Sequence, residues 1–433
     1  MKRLYVLSID AMVSEDIEFM KTLPNLGPIV SNASIVRNVV TVYPSLTYTV
    51  HASMMTGVYP NRHKVINNEV FTPGVSPAPW FFDSKVFDPD VDNLIAAAKR
   101  KGLKTASLSW PVTGNIGADY LLPEVWDWDD LSADKMYRTM VEYGASESFL
   151  DGFWENYGKH LKGLESPYFH YLAHGATLDA IRKYQPEVIF EHLSMVDHNR
   201  HRYGVFASEV YKNAYFLIDL MFGATMDALK DAGVYDDTVI VITSDHGQTP
   251  VNKVVALNLL LAKEGLVEID ENGKLVSWKA FVSSAAHSAQ IYLADPNDLE
   301  LKGKVRNLLE RFKEENVGIE RIYEKDELKD KYHLEGDFTF MVEGSDGVSF
   351  SNRLTGNVFT LADNTDYKYS VATHGHEPEK GPKPAFILYG PGVKKGVEID
   401  GCNIVDEAPT IASIMDFDLR NADGIVLSEL IEK

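Results

Sequence analysis

Two hydrophobic periods alternate through most of this chain. Short runs of aliphatic and β-branched residues at Leu4–Ile9, Ile35–Val42, Lys104–Trp110, Glu187–Leu193, the stretch from Val239 and Ala385–Tyr389 read as buried strands. Between them, apolar positions returning every three or four residues predict helices at Leu23–Ser31, Thr47–Thr56, Leu94–Gly102, Ser208–Ala232 and Ile404–Met415. Gly57 and Gly233 stand where helices of this kind stop. Strand–helix alternation predicts an α/β fold, a mostly parallel sheet with helices packed on it. Residues 112–178 show no clear period and are expected to form loops and helices above the active face. After Pro250 the alternation loosens into short strands (Ala289–Leu293), a charged helix (Leu301–Glu315) and polar turns. We read residues 1–250 and 371–433 as the core and residues 251–370 as an inserted α+β cap, which should carry most of the specificity.

The chemistry gathers where strands end. Val239–Gln248, V-I-V-I-T-S-D-H-G-Q, delivers Asp245 and His246 to its tip, with Gly247 expected to let the backbone turn sharply away. Ligands of open α/β sheets bind at such tips. Leu4–Ile9 leads in the same way to Asp10. In M-V-D-H-N-R-H, Asp197 and His201 are four residues apart, on one side of a helical turn, while His198 is expected to face elsewhere. His374 lies in A-T-H-G-H. Thr47 begins a helix, where unpaired N–H groups and the dipole favour a phosphoryl group, although Ser45 or Thr47 could instead be an ordinary N-cap. One ion could take Asp197, His201 and His374; a second could take Asp10, Asp245, His246 and the Thr47 oxygen. Such sets favour two zinc ions, with manganese or iron as alternatives. Two cations would clamp an in-line displacement at phosphorus and activate a threonine that is otherwise a poor nucleophile.

Composition narrows the partners. The 433 residues carry a formal charge of −21, which disfavours nucleic-acid polymers and anionic membranes and leaves metal ions to attract a small anionic substrate. The N-terminal apolar run is only a strand long and is broken by Ser8 and Asp10. No stretch approaches a membrane span, and the single cysteine, Cys402, excludes an internal disulfide and a Cys-rich zinc site. A cytoplasmic protein is expected.

In order and spacing, L-S-I-D-A at 7–11, Y-P-S-L-T-Y-T at 43–49, T-G-V-Y-P-N-R-H at 56–63, D-H-N-R-H at 197–201, S-D-H-G at 244–247, T-H-G-H at 373–376 and D-E-A-P-T-I-A at 406–412 resemble the alkaline phosphatase superfamily, in its type I phosphodiesterase/nucleotide pyrophosphatase-like branch. The resemblance covers about Met1–Gln248 and Ala372–Phe417. It implies an alkaline-phosphatase-like three-layer αβα sandwich and a two-metal hydrolase working through a covalent phosphothreonine. The family's ligand and nucleophile roles fall on Asp10, Thr47, Asp197, His201, Asp245, His246 and His374. Asn68 matches an asparagine that helps bind phosphoryl oxygens, and Tyr48 an aromatic position that stacks on the base in nucleotide-cleaving relatives. Two departures stand out: His376-Glu377-Pro378 where many relatives have Asp-Asn, with His376 read as a bystander, and Thr49-Val50-His51 where relatives often have Pro-Asn. Phosphodiesters or pyrophosphates are expected to be cut better than monoesters. Pro44–Met55 holds no Lys or Arg to meet a dianion, though a cation from the insertion would reverse that argument. A phosphonate hydrolase resembling phosphonoacetate hydrolase, a phosphomonoesterase and a non-catalytic metal-binding scaffold are the competing readings.

Overall fold

The computed structural model describes residues 1–164, 167–206 and 210–432. Its centre is an eight-stranded sheet of β1 (Arg3–Ile9), β2 (Ser34–Val40), β3 (Thr105–Leu108), β4 (Tyr120–Leu122), β5 (Val188–Leu193), β6 (Thr238–Thr243), β7 (Phe386–Tyr389) and β8 (Glu398–Asn403). Their order is β8-β2-β7-β6-β1-β5-β3-β4. All neighbouring pairs are parallel except the two made by β7.

Side chains alternate across each strand, so one strand feeds two cores. Tyr5, Leu7 and Ile9 of β1 join Ile240 and Ile242 of β6 on one face; Leu4 and Val6 join Val239 and Val241 on the other. The helix Val210–Asp231 covers the first face through Ile218, Phe222 and Leu229. Helices Thr47–Thr56, Leu94–Arg100 and Glu407–Met415 cover the second through Val50, Leu94 and Ile411. The fold is therefore a three-layer α/β sandwich. With about 1.5–3 kcal/mol gained per buried aliphatic side chain, the two faces hold the sheet firmly enough to fix the residues at its tips.

The central strands and helices lie within a few residues of their predicted bounds. Ser208, the predicted start of the long helix, is outside the described residues, and its end at Asp231 is followed by Gly233 at φ 69°. β4 falls inside residues 112–178 and carries too few residues to show a period. Residues 165 and 166 of that stretch are outside the described residues. No helix among the described residues is long and apolar enough to cross a membrane.

After β6 the chain builds a second unit. Strands Ala280–Ala285, Ser288–Leu293, Phe340–Gly344 and Ile319–Glu324 form an antiparallel sheet in that order, backed by the helix Leu299–Glu314 around Val305, Leu309 and Phe312. At its root, Thr249–Pro250 pairs with Ala372–Thr373, and Val251 N–H donates to the Val371 carbonyl at 2.8 Å. A short antiparallel stem thus closes immediately beside His246 and His374.

Two glycines allow the tight approach at this root, for different reasons. Gly375 has φ +84°, and a Cβ there would lie 1.9 Å from the Ala285 carbonyl oxygen. Gly247 is not among the positive-φ glycines, and a Cβ there would meet the Pro382 oxygen at 2.2 Å. Close packing, rather than backbone freedom, requires that glycine. Gly375→Ala combines φ strain with a clash against backbone, so it should lower unfolding free energy by about 2–4 kcal/mol in a denaturant titration. An unchanged midpoint and slope would contradict the contact.

Candidate active site

Asp10 follows β1, Asp245 and His246 follow β6, and Asp197 and His201 lie on the helix Met195–Tyr203 just after β5. All five converge with Thr47 and His374. Asp10, Asp245 and His246 present ligand atoms within 4.8 Å of one another, and so do Asp197, His246 and His374. His246 stands between the groups, its ring stacked on His374 at 3.8 Å. His201 lies outside the second triangle, but its Nε2 is 3.1 Å from Asp197 Oδ1.

The donor set fits cations. Asp10 Oδ1, Asp245 Oδ2 and His201 Nε2 are buried and have no hydrogen-bond partner among the described residues. Burial pushes the Asp10 carboxyl well up, and Asp245 and Asp197 push it further, the signature of carboxylates packed without enough positive charge. Burial holds His246 and His374 below the ordinary histidine range, so both rings are neutral and can donate lone pairs. Burial also opposes charge on His201, yet Asp197 raises it overall. His201 Nδ1 lies 2.7 Å from the Ala372 carbonyl and His374 Nδ1 3.2 Å from the Ser45 carbonyl. A carbonyl only accepts, so both Nδ1 atoms carry the proton and both Nε2 atoms are left to ligate. Gln248 Nε2 donates to Asp197 Oδ1 at 2.5 Å, fixing that carboxylate from the end of the β6 segment.

Thr47 is the first residue of its helix, and Leu46 at the cap position makes no side-chain cap bond. The Thr47 hydroxyl lies 3.1 Å from His246 Nε2, while Ser45 donates to the His376 carbonyl at 2.9 Å. Neither hydroxyl is an N-cap. Asn68 Oδ1 accepts from the Tyr48 amide at 2.9 Å, which leaves its NH2 as the donor a ligand can use. His376 is buried and belongs to neither ligand group, its Nδ1 2.9 Å from the Glu377 carbonyl. His198 is exposed and lines the same cavity as the ligands, so it is a wall residue instead of facing elsewhere.

These residues open into a cavity of about 670 Å³. Tyr48 lines it but is no open platform: it is fully buried, its ring meets Trp80 edge-on at 5.0 Å, and its hydroxyl lies 3.1 Å from Glu124 Oε1. The aromatic surface a ligand can reach belongs to Trp80 and Trp128, the latter 38% exposed, with Trp126 packed between them. The insertion contributes two cations to the wall. Lys368 is bound by Glu69 and by Asp366 at 3.3 Å; Arg353 has no carboxylate partner among the described residues.

Sequence reasoning missed three supporting residues. His192 Nε2 is 3.2 Å from Asp10 Oδ2 and its Nδ1 2.9 Å from Glu124 Oε2. Burial opposes its charge, but Glu124 and Asp10 hold it well above the ordinary histidine range. His51 lies one turn beyond Thr47, its Nδ1 2.8 Å from the Thr47 carbonyl and its Nε2 2.8 Å from Ser8 Oγ. Both sit next to motif residues, a signal that marked the segments without assigning the roles. Tyr367 stacks on His374 at 5.5 Å and 12° and comes from the insertion, where no motif pointed to it.

A family model described as type I phosphodiesterase/nucleotide pyrophosphatase matches residues 4–376. Human ectonucleotide pyrophosphatase/phosphodiesterase family member 1 is 25% identical over 88% of this chain and 37% of its own length. The venom phosphodiesterase of Naja atra is 20% identical over 92% of this chain and 42% of its own. The chain thus spans about two fifths of these curated relatives. Murine ectonucleotide pyrophosphatase/phosphodiesterase 5 superposes with a TM-score of 0.67 at 16% identity, covering both chains completely; a second structure of it is an inactive form in complex with AMP.

Proposed function

Because the chain belongs to the type I phosphodiesterase/nucleotide pyrophosphatase family, we propose that it hydrolyses phosphodiester or pyrophosphate bonds in nucleotide-like compounds at Thr47. The observation that carries the reading is the Thr47 hydroxyl at a helix start, 3.1 Å from His246 Nε2, beside two converging groups of buried Asp and His. Asp10, Asp245 and His246 would hold one divalent cation, with the Thr47 oxygen; Asp197, His201 and His374 would hold a second, with zinc the first choice for such donors. When bound, the cations supply positive charge that makes the threonine oxygen a competent nucleophile and offsets charge on the phosphoryl group.

The chain's own residues do the rest. The first-turn N–H groups and the Asn68 NH2 orient the phosphoryl oxygens for in-line approach. Attack forms the Thr47 Oγ1–P bond as the bond to the leaving oxygen breaks, and the hydroxyl proton passes to solvent. Water then cleaves the phosphothreonine and regenerates Thr47. The AMP held by the murine relative supports a nucleotide product, and the Trp80 and Trp128 surfaces suit a base, worth about 1–3 kcal/mol per stacked ring.

The charge pattern supports diesters over monoesters. Lys368 is neutralised by Glu69 and Asp366, so it does not supply the extra cation a dianion needs. Arg353, bonded to the Ser351 and Thr360 hydroxyls, is the wall cation that a monoester preference would assign to the dianion. With zinc-loaded protein, kcat/KM for bis-p-nitrophenyl phosphate and for a nucleotide p-nitrophenyl ester should exceed that for p-nitrophenyl phosphate and phosphonoacetate by about tenfold or more, the 1.4 kcal/mol expected of one uncompensated charge. A preference for either of the last two would overturn the substrate class.

A further inference from the structure

We propose that Tyr367 is a catalytic residue of this site, its phenol donating, beside the Asn68 amide, a hydrogen bond to a non-bridging oxygen of the phosphoryl group as it transfers to Thr47. The proposal rests on the reading of Thr47 as the nucleophile and gives the insertion a direct part in the reaction.

Placement comes first. The Tyr367 ring lies parallel to that of His374, 5.5 Å away, and meets His201 at 6.1 Å and Trp80 at 5.9 Å. It therefore spans the candidate ligands and the aromatic wall, and it lines the cavity shared by Thr47, Asn68 and Asp197. The hydroxyl is buried with no hydrogen-bond partner among the described residues. The Asn68 side chain is the polar group beside the phenol. A buried O–H without a partner is destabilising unless a ligand completes it. Both residues line one cavity, and a phenol and an amide NH2 close to each other there suit a tetrahedral anion.

A staple holds the two donors side by side. Asn68 precedes Glu69 and Tyr367 precedes Lys368 in the chain, and Glu69 and Lys368 form a buried ion pair. The 3-10 turn Tyr367–Tyr369 is fixed further by Asp366, whose side chain accepts from Lys368 N–H, and by Ser349 Oγ, which donates to the Lys368 carbonyl at 2.5 Å. The insertion thereby presents Tyr367 preorganised, and preorganised donors at a phosphoryl group favour the charge that develops in transfer.

Tyr367→Phe keeps the ring stack and removes only the donor. Zinc content, kcat/KM for bis-p-nitrophenyl phosphate and calorimetric binding of inorganic phosphate and orthovanadate would be measured for wild type and variant. A lost hydrogen bond to a charged group corresponds to about 10- to 100-fold in kcat/KM, with orthovanadate weakened more than phosphate, at unchanged zinc content. Rates and anion affinities within about threefold of wild type would overturn the proposal, as would a loss of rate that merely follows a loss of zinc. Wild-type protein inert toward every diester would instead overturn the reading of Thr47, whereas the anion titrations would still test whether Tyr367 binds a phosphoryl group.

Discussion

Thr47→Ala is expected to lower turnover of the best diester by about 10³-fold or more while leaving fold and metal content near wild type. The Thr47 oxygen is the reactive atom in the proposed reaction, and no neighbouring side chain replaces it. Ser45 is turned away, its hydroxyl spent on the His376 carbonyl and on the Gly375 amide, which donates to it at 3.1 Å. Alanine is a good helix former and neither hydroxyl caps the helix, so the substitution costs the fold only the contact of the Thr47 hydroxyl with His246. What remains is slow attack by water in a site that still binds substrate. Thr47→Ser should retain part of the rate, because the oxygen stays while the methyl that limits its rotamers is lost. Rapid quench with a labelled diester should trap label on Thr47 in wild type only. Thr47→Ala turning over at the wild-type rate would show that water attacks phosphorus directly.

Asp245→Asn should have the second largest effect, with an unusual sign. The carboxylate is fully buried; Oδ1 accepts from Ala11 N–H at 3.2 Å and Oδ2 stands 3.1 Å from His246 Nε2. Asparagine keeps the shape and removes the charge. Without metal, the change relieves the repulsion that Asp245 exerts on Asp10, so the variant should melt at a higher temperature than wild type. With zinc the order should reverse. Wild type gains about 2.7 kcal/mol when zinc is at 100 times Kd, and the variant forfeits much of that. Its zinc content and its rate should fall together, the rate by about 10²-fold or more. His374→Ala should likewise lower zinc content and rate. Full zinc occupancy with normal activity in either variant would defeat the ligand assignment. A variant melting below wild type in the absence of metal would show that Asp245 serves packing.

Most of the candidate site was legible because its residues are tied to strand ends. Once Leu4–Ile9 and the stretch from Val239 read as buried strands, Asp10 and Asp245 had to emerge on the same edge of a parallel sheet, and Thr47 followed from a helix boundary. The supporting groups were not legible, for a physical reason. His192, Glu124 and Tyr367 meet the site through contacts between segments far apart in sequence, and no local period records such a contact. Tyr48 shows the converse limit. Its place beside Thr47 was fixed by the helix, but whether its ring faces were open depended on Trp80 and Glu124, which arrive from elsewhere. At Gly247 the sequence suggests a sharp turn, whereas the glycine is required by the Pro382 carbonyl, which no local pattern records.

The stem formed by Thr249–Pro250 and Ala372–Thr373 bears on how this architecture can diversify. It pins both ends of the inserted segment together, so the segment is one long closed loop on a fixed clasp. Closure entropy grows only with the logarithm of loop length, and doubling that length costs about 0.6 kcal/mol. Changes of length are therefore cheap at surface turns above the clasp, but not where the unit packs on the core, as at the buried Glu69–Lys368 pair and the Tyr43–Glu343 hydrogen bond. The clasp tolerates far less, since a register slip there would move His374 against His246. The clasp therefore separates two kinds of change: turns of the second unit that face solvent tolerate a new length, whereas the residues at its base hold a fixed register with the core.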